Sequence, residues 1–164
     1  MNAKRILFIH GSESSGQTYK AGLLRAVFPE LISPDFTDDL DERLAQLHAI
    51  IGKTRGWTLV GSSLGGLTAA LFAAQAPKQV QKLVLLAPAL NLAPFEPHRF
   101  RQIAIPTVII HGTRDEIVPL EAVRPIAERV FPHLTYYVVD DDHRLHQTAE
   151  TLDWKNLLAS TSLD

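Results

Sequence analysis

Trp57-Thr58-Leu59-Val60-Gly61-Ser62-Ser63-Leu64-Gly65-Gly66-Leu67-Thr68-Ala69-Ala70-Leu71 joins two opposite kinds of sequence without a linker. Trp57–Val60 is a short apolar and β-branched run of strand length. Leu64–Ala76 is rich in alanine and leucine, which makes a strong helix, and Pro77 ends it. Between them lies Gly61-Ser62-Ser63-Leu64-Gly65, a G-x-S-x-G pattern. A strand can pass into a helix so abruptly only through a turn that strains its central residue. Glycines two before and two after Ser63 let neighbouring backbone approach. Ser63 Oγ is then expected to project above the sheet edge, at the positive N-terminal end of the helix. A plain strand–turn–helix junction with an incidental serine would be written in the same letters, so the remaining chain must distinguish the two.

Outward from this segment, short apolar runs alternate with amphipathic ones. Strands are predicted at Ile6–Ile9, Leu31–Phe36 (weakened by Pro34), Trp57–Val60, Lys82–Ala87, Thr107–Ile110 and Thr135–Val139. Helices are predicted at Tyr19–Phe28, across Leu40, Leu44, Leu47, Ile50 and Ile51 with Asp38 as cap, at Leu64–Ala76, at Pro119–Val130 and at His146–Leu158. Pro125 predicts a kink in the fourth of these, or a turn before a shorter helix. This alternation specifies an α/β fold, a three-layer sandwich with a six-stranded parallel sheet between helices. Ligands of such sheets bind beyond the carboxyl ends of the strands.

Composition narrows the function. The 164 residues fit one domain, spanning 1–164. Sixteen basic against eighteen acidic residues give a net charge of −2, which argues against general nucleic-acid binding. With no cysteine, disulfides, thiolate metal sites and cysteine nucleophiles are excluded together. Ile6–Ile9 is too short for a signal-peptide core, and no apolar run approaches the ~20 residues of a membrane span. The expected compartment is therefore cytoplasmic.

A serine hydroxyl is a weak nucleophile unless a base takes its proton. The residues after the later strands supply candidates in the order Ser, Asp, His. His111-Gly112-Thr113-Arg114-Asp115 follows the fifth strand and offers Asp115 as the orienting acid, ahead of the adjacent Glu116. Asp140-Asp141-Asp142-His143 follows the sixth and offers His143 as the base, with His146 as substitute. The loop after the first strand, His10-Gly11-Ser12-Glu13-Ser14-Ser15-Gly16, is small and polar, and can turn backbone N–H groups inward. An oxyanion needs two such donors, assigned here to Ser12 and Leu64. The acidic run with His143 and His146 also admits a metal-site reading, but metal ligands must converge from several elements, and none is assigned.

Ile9-His10-Gly11, Gly61–Gly65, His111-Gly112-x-x-Asp115-x-x-Val118-Pro119 and His143, in that order along the chain, resemble the α/β-hydrolase superfamily. The likeness is to its small bacterial serine esterases that lack a cap domain. It implies strand order 2-1-3-4-5-6, with Ser63 as nucleophile, His143 as base and Asp115 as acid. It also implies acyl transfer on a small-molecule ester or thioester without metal or organic cofactor. Two features depart from the pattern. The usual opening antiparallel hairpin is missing, and three aspartates stand where glycine commonly precedes the histidine. Their charge is expected to raise the histidine's pKa.

Specificity is expected from the short cap loop at about 88–105. Leu90, Leu92, Phe95 and Phe100 either wall a small acyl pocket or pack that loop on the body. His98, Arg99 and Arg101 either meet an acidic substrate or form a solvated face. A thioesterase or small peptidase with the same residues, or a non-catalytic binding protein on this fold, are the competing readings.

Overall fold

A computed structural model describes residues 5–159. Strand β1 (Ile6–Ile9) leads through a loop into helix α1 (Tyr19–Val27), and α2 (Leu40–Ile51) follows. Next come β2 (Trp57–Ser62), α3 (Leu64–Gln75), β3 (Val80–Leu86), β4 (Thr107–Gly112) and α4 (Leu120–Val130). The described chain closes with β5 (Leu134–Val139), α5 (His146–Thr151) and α6 (Trp154–Leu157). The five strands form one sheet in sequence order, and every adjacent pair is parallel.

Burial explains the composition of the strands. Leu7, Ile9, Leu59, Leu83, Leu85 and Ile109 face one side and pack with α2, α3 and α4. Ile6, Phe8, Val60, Val84, Leu86, Val108 and Ile110 face the other and pack with α1, α5 and α6. A strand buried on both faces has no polar alternation to show, so these runs read as continuous apolar sequence. Helix α3 lies centrally and buries nine of its residues, from Gly65 to Ala73, so alanine keeps it close to the sheet. β1 and β5 are the edge strands, and Tyr137 and Val138 on β5 are exposed.

Three expectations need correction. The sheet has five strands, not six, because Leu31–Phe36 forms only a one-residue parallel bridge, Ile32 to Leu7, on the outer edge of β1. Pro34 brings no N–H to a ladder, and the neighbouring polar groups are taken elsewhere. Ser33 Oγ donates to the Gly16 carbonyl at 2.9 Å, and Phe36 N–H donates to His10 Nε2 at 2.8 Å. The bridge sits where the expected second strand would lie, so the other five keep their order. The terminal helix is two helices, α5 and α6. Leu152 adopts an extended conformation, and Asp153 caps α6 by accepting from Asn156 N–H at 3.2 Å. Asp39, not Asp38, caps α2, accepting from Glu42 N–H at 3.0 Å. α4 runs through Pro125 as one helix.

Among the described residues, no helix is long and apolar enough to cross a membrane. The segment at 88–105 is a short loop with one 3-10 turn, Ala93–His98.

Candidate active site

Ser63 stands between β2 and α3 with φ 56°, a left-handed conformation uncommon for a residue with a Cβ. Its main chain is held on both sides. Ser63 N–H donates to the Leu86 carbonyl at 2.9 Å, and the Ser63 carbonyl accepts from Gly66 N–H at 3.0 Å and Ala89 N–H at 3.1 Å. The flanking glycines are required by contact. A Cβ on Gly65 would lie 1.9 Å from the Ile9 carbonyl oxygen, and one on Gly61 would lie 2.4 Å from the Gly65 carbonyl oxygen. Neither obstacle is a movable side chain, so the turn would have to open. Gly65→Ala is expected to cost about 3 kcal/mol, lowering Tm by roughly 6–12 °C at ~2–4 °C per kcal/mol. Calorimetry of the variant checks this.

The structure brings Ser63, His143 and Asp115 together from the ends of three different strands. His143 Nδ1 lies 2.8 Å from Asp115 Oδ2, and His143 Nε2 lies 3.1 Å from Ser63 Oγ. A carboxylate only accepts, so Nδ1–H donates to Asp115, which leaves Nε2 to accept from the serine O–H. The Asp115 side chain is fully buried, whereas that of His143 is 19% exposed toward the cleft. Asp115 Oδ1 also accepts from Ile117 N–H at 2.9 Å and Val118 N–H at 2.8 Å. Burial pushes the Asp115 carboxyl up. The hydrogen bonds from His143, Val118 and Ile117 outweigh it and hold the group below the usual aspartate value. Glu116 is exposed at the cleft rim, and His146 is exposed with its ring against Tyr19, 5.0 Å between centroids.

Behind Asp115 stands a second histidine that the sequence reading passed over. His111 is fully buried, its Nε2 2.9 Å from the Val118 carbonyl and 3.3 Å from Asp115 Oδ2. The carbonyl only accepts, so Nε2 carries the proton, and Nδ1 accepts from the Tyr136 O–H at 2.8 Å. Burial pushes the Tyr136 phenol well up, which keeps it a donor. The available signal was the Ile-His-Gly ending of β4, which repeats that of β1.

The three aspartates before His143 have separate partners. Asp140 pairs with Arg114 at 2.9 Å on the surface. Asp142 Oδ1 accepts from Arg144 N–H at 3.0 Å. Asp141 is buried and accepts from Thr148 Oγ1 at 2.7 Å, Thr148 N–H at 3.0 Å and Asp142 N–H at 2.8 Å, tying the His143 loop to α5. Burial raises the Asp141 carboxyl, but these bonds together with Arg114 bring it below its ordinary value. A depressed folded-state pKa contributes stability that is full above the unfolded value, about 3.9, and is lost as pH falls through the folded one. Asp141→Asn removes that dependence and turns an amide N–H toward a donor. It is expected to cost about 1–3 kcal/mol at pH 7 and to narrow its deficit against the parent at pH 3. Denaturant midpoints at the two pH values check this.

Ser63 and His143 open into a cleft of about 1080 Å³, also lined by Ser12, Thr18, Tyr19, Lys20, Asp115 and Arg144. Burial in the cleft wall pulls the Lys20 pKa down, and Asp142 opposes this. The four pocket candidates of the cap loop do not line the cleft. Leu90 and Phe95 are fully buried in the core, while Leu92 and Phe100 are exposed, with Arg129 over the Phe100 ring at 5.2 Å. The body claims Leu90 and Phe95 for packing.

Residues 10–100 match the family model described as alpha/beta hydrolase fold. Among curated proteins, none matches the chain significantly. Solved structures do resemble it. Alpha/beta hydrolase domain-containing protein 10 from mouse superposes with a TM-score of 0.79 at 20% identity, covering 96% of this chain and 90% of its own. A protein assigned to the hydrolases of the alpha/beta superfamily, from Xanthomonas campestris pv. campestris, gives 0.71 at 29% identity over 88% and 92%. The monoacylglycerol lipase of Paleococcus ferrophilus gives 0.69 at 16% identity over 88% and 92%.

Proposed function

Since the chain belongs to the alpha/beta hydrolase fold family, we propose that it is a serine hydrolase that cleaves small carboxylic esters through an acyl-enzyme on Ser63. The observation that carries this reading is the pair of distances at His143, 3.1 Å to Ser63 Oγ and 2.8 Å to Asp115 Oδ2, on a serine held at φ 56°. In the first step Ser63 Oγ attacks the ester carbonyl while its proton passes to His143 Nε2. The carbonyl oxygen becomes an oxyanion, received by the N–H groups of Leu64 and Ser12. Among the described residues, neither N–H has a backbone partner outside its own element. The intermediate collapses as the C–O bond breaks, and the alcohol leaves with the proton from His143. Water then attacks the acyl-enzyme, giving a proton to His143, and the acid departs as Ser63 regains its own. Asp115 stabilises the imidazolium formed in each half-reaction.

A panel of 4-nitrophenyl esters of rising acyl length, run beside acyl-CoA thioesters and aminopeptide substrates, tests this reading. The expected result is turnover of short-chain esters with a fall as the chain lengthens. The cleft wall is polar around Thr18, Lys20 and Arg144, with no long apolar slot built by the cap loop. Preference for acyl-CoA or peptide would move the chemistry to thioester or amide. Absence of all turnover in folded protein would favour a binding role.

A further inference from the structure

The geometry points to Arg43 as the positioning residue of the oxyanion site: its guanidinium holds the Gly11 carbonyl away from the cleft and so aims the Ser12 N–H into it. Arg43 lies in the first turn and a half of α2 and is fully buried. A buried cation is costly unless its donors are used, and here they go to one loop. Nε donates to the Thr37 carbonyl at 2.6 Å, one terminal nitrogen to the His10 carbonyl at 2.6 Å, and the other to the Gly11 carbonyl at 2.9 Å. The carboxylate nearest to it, Asp38, is 3.8 Å away and half exposed. The partners of this cation are therefore main-chain oxygens more than an acid.

The peptide geometry carries the consequence. No peptide bond among the described residues is cis, and across a trans peptide the C=O and the following N–H point in opposite directions. Fixing the Gly11 oxygen toward α2 fixes the Ser12 hydrogen toward the other side, where Ser63 stands. A Cβ built on Gly11 would lie 3.5 Å from the Ser63 Cβ, so this peptide passes directly against the nucleophile. His10 reinforces the same carbonyl. Its Nδ1–H donates to Gly11 O at 2.6 Å, while its Nε2 accepts from Phe36 N–H. Burial lowers the His10 pKa, which keeps that tautomer neutral. Arg43 itself does not line the cleft. It acts on the reaction only through the orientation of one N–H.

This inference rests on Ser63 being the nucleophile, and its test separates the two ideas. Phenylboronic acid is the probe. Its trigonal boron accepts Ser63 Oγ, the hydroxyl proton passes to His143, and a tetrahedral anion results. In the unaltered protein, ¹H–¹⁵N spectra are expected to show the Ser12 and Leu64 amides both moving downfield on adduct formation. Movement of Leu64 without Ser12 overturns the role of Arg43 while leaving the nucleophile intact, whereas absence of any adduct overturns both. In Arg43→Met, kcat on 4-nitrophenyl acetate is expected to fall about 10²-fold. Boronate affinity falls in parallel, and KM and inhibition by acetate stay within about threefold of the parent. Arg43→Lys keeps the charge but reaches one carbonyl at a time and is expected to lose about tenfold in kcat. A folded Arg43→Met or Arg43→Lys with the parent's kcat and boronate affinity would make the residue merely structural. If neither variant folds, a stationary Ser12 amide in the unaltered protein still overturns the proposal.

Discussion

Ser63→Ala is expected to abolish ester turnover, with kcat lower by about 10⁵–10⁶-fold, while the protein folds as before. Alanine keeps the Cβ, so the strain of φ 56° is unchanged, and the backbone bonds to Leu86, Gly66 and Ala89 need no side chain. The Oγ has one partner, His143, whose imidazole is partly exposed to the cleft and is not left as a buried unpaired group. Tm should therefore stay within about 2 °C, the shift of about 0.5–1 kcal/mol in a chain of this size. The measurement is kcat on 4-nitrophenyl acetate beside a melting curve. A folded variant with more than about a tenth of the parent's kcat would place the nucleophile elsewhere.

Asp115→Asn is expected to lower kcat by about 10⁴-fold with little change in KM. The amide oxygen of asparagine can take over from Oδ1 and keep the N–H groups of Ile117 and Val118. Its nitrogen then faces His143 Nδ1, 2.8 Å away in the parent. Two donors cannot share that line, so the imidazole proton moves to Nε2 and the ring loses its acceptor for Ser63. The protein also loses an ionised acceptor in a buried setting, at a cost of about 1–3 kcal/mol. Single-turnover kinetics separate the two effects, because the chemical step slows far more than the folded fraction falls. A variant with the parent's acylation rate would mean that Asp115 serves only the loop.

The parts of this molecule written in side-chain identity and strand register were legible in the sequence. Ser63, Asp115 and His143 lie just beyond the carboxyl ends of β2, β4 and β5, so the parallel sheet carries them to one edge, where they meet within hydrogen-bond distance. Strands β1 to β4 were legible because burial on both faces leaves uninterrupted apolar runs. Leu31–Phe36 was not. Its apolar letters suit a strand, but the Phe36 N–H and the Asp35 carbonyl are drawn off by His10 and α2, which is a tertiary competition with no local signature. The break at Leu152 was hidden for a similar reason, although Asp153 ahead of Trp154 is a capping signal. The cap-loop side chains misled because an apolar residue on a short loop serves a ligand or the core equally well, and Leu90 and Phe95 serve the core. Arg43 gave no signal at all. Its partners are carbonyl oxygens, which every residue has.

If Ser63 is the covalent centre of a hydrolase, active-serine labelling must find it. The folded protein is incubated with a fluorophosphonate, digested, and its peptides are weighed and sequenced by mass spectrometry. A stoichiometric adduct is expected on Ser63, absent from Ser63→Ala and slowed in Asp115→Asn. An unlabelled Ser63 in folded protein, or a stoichiometric adduct on any other residue, would contradict it.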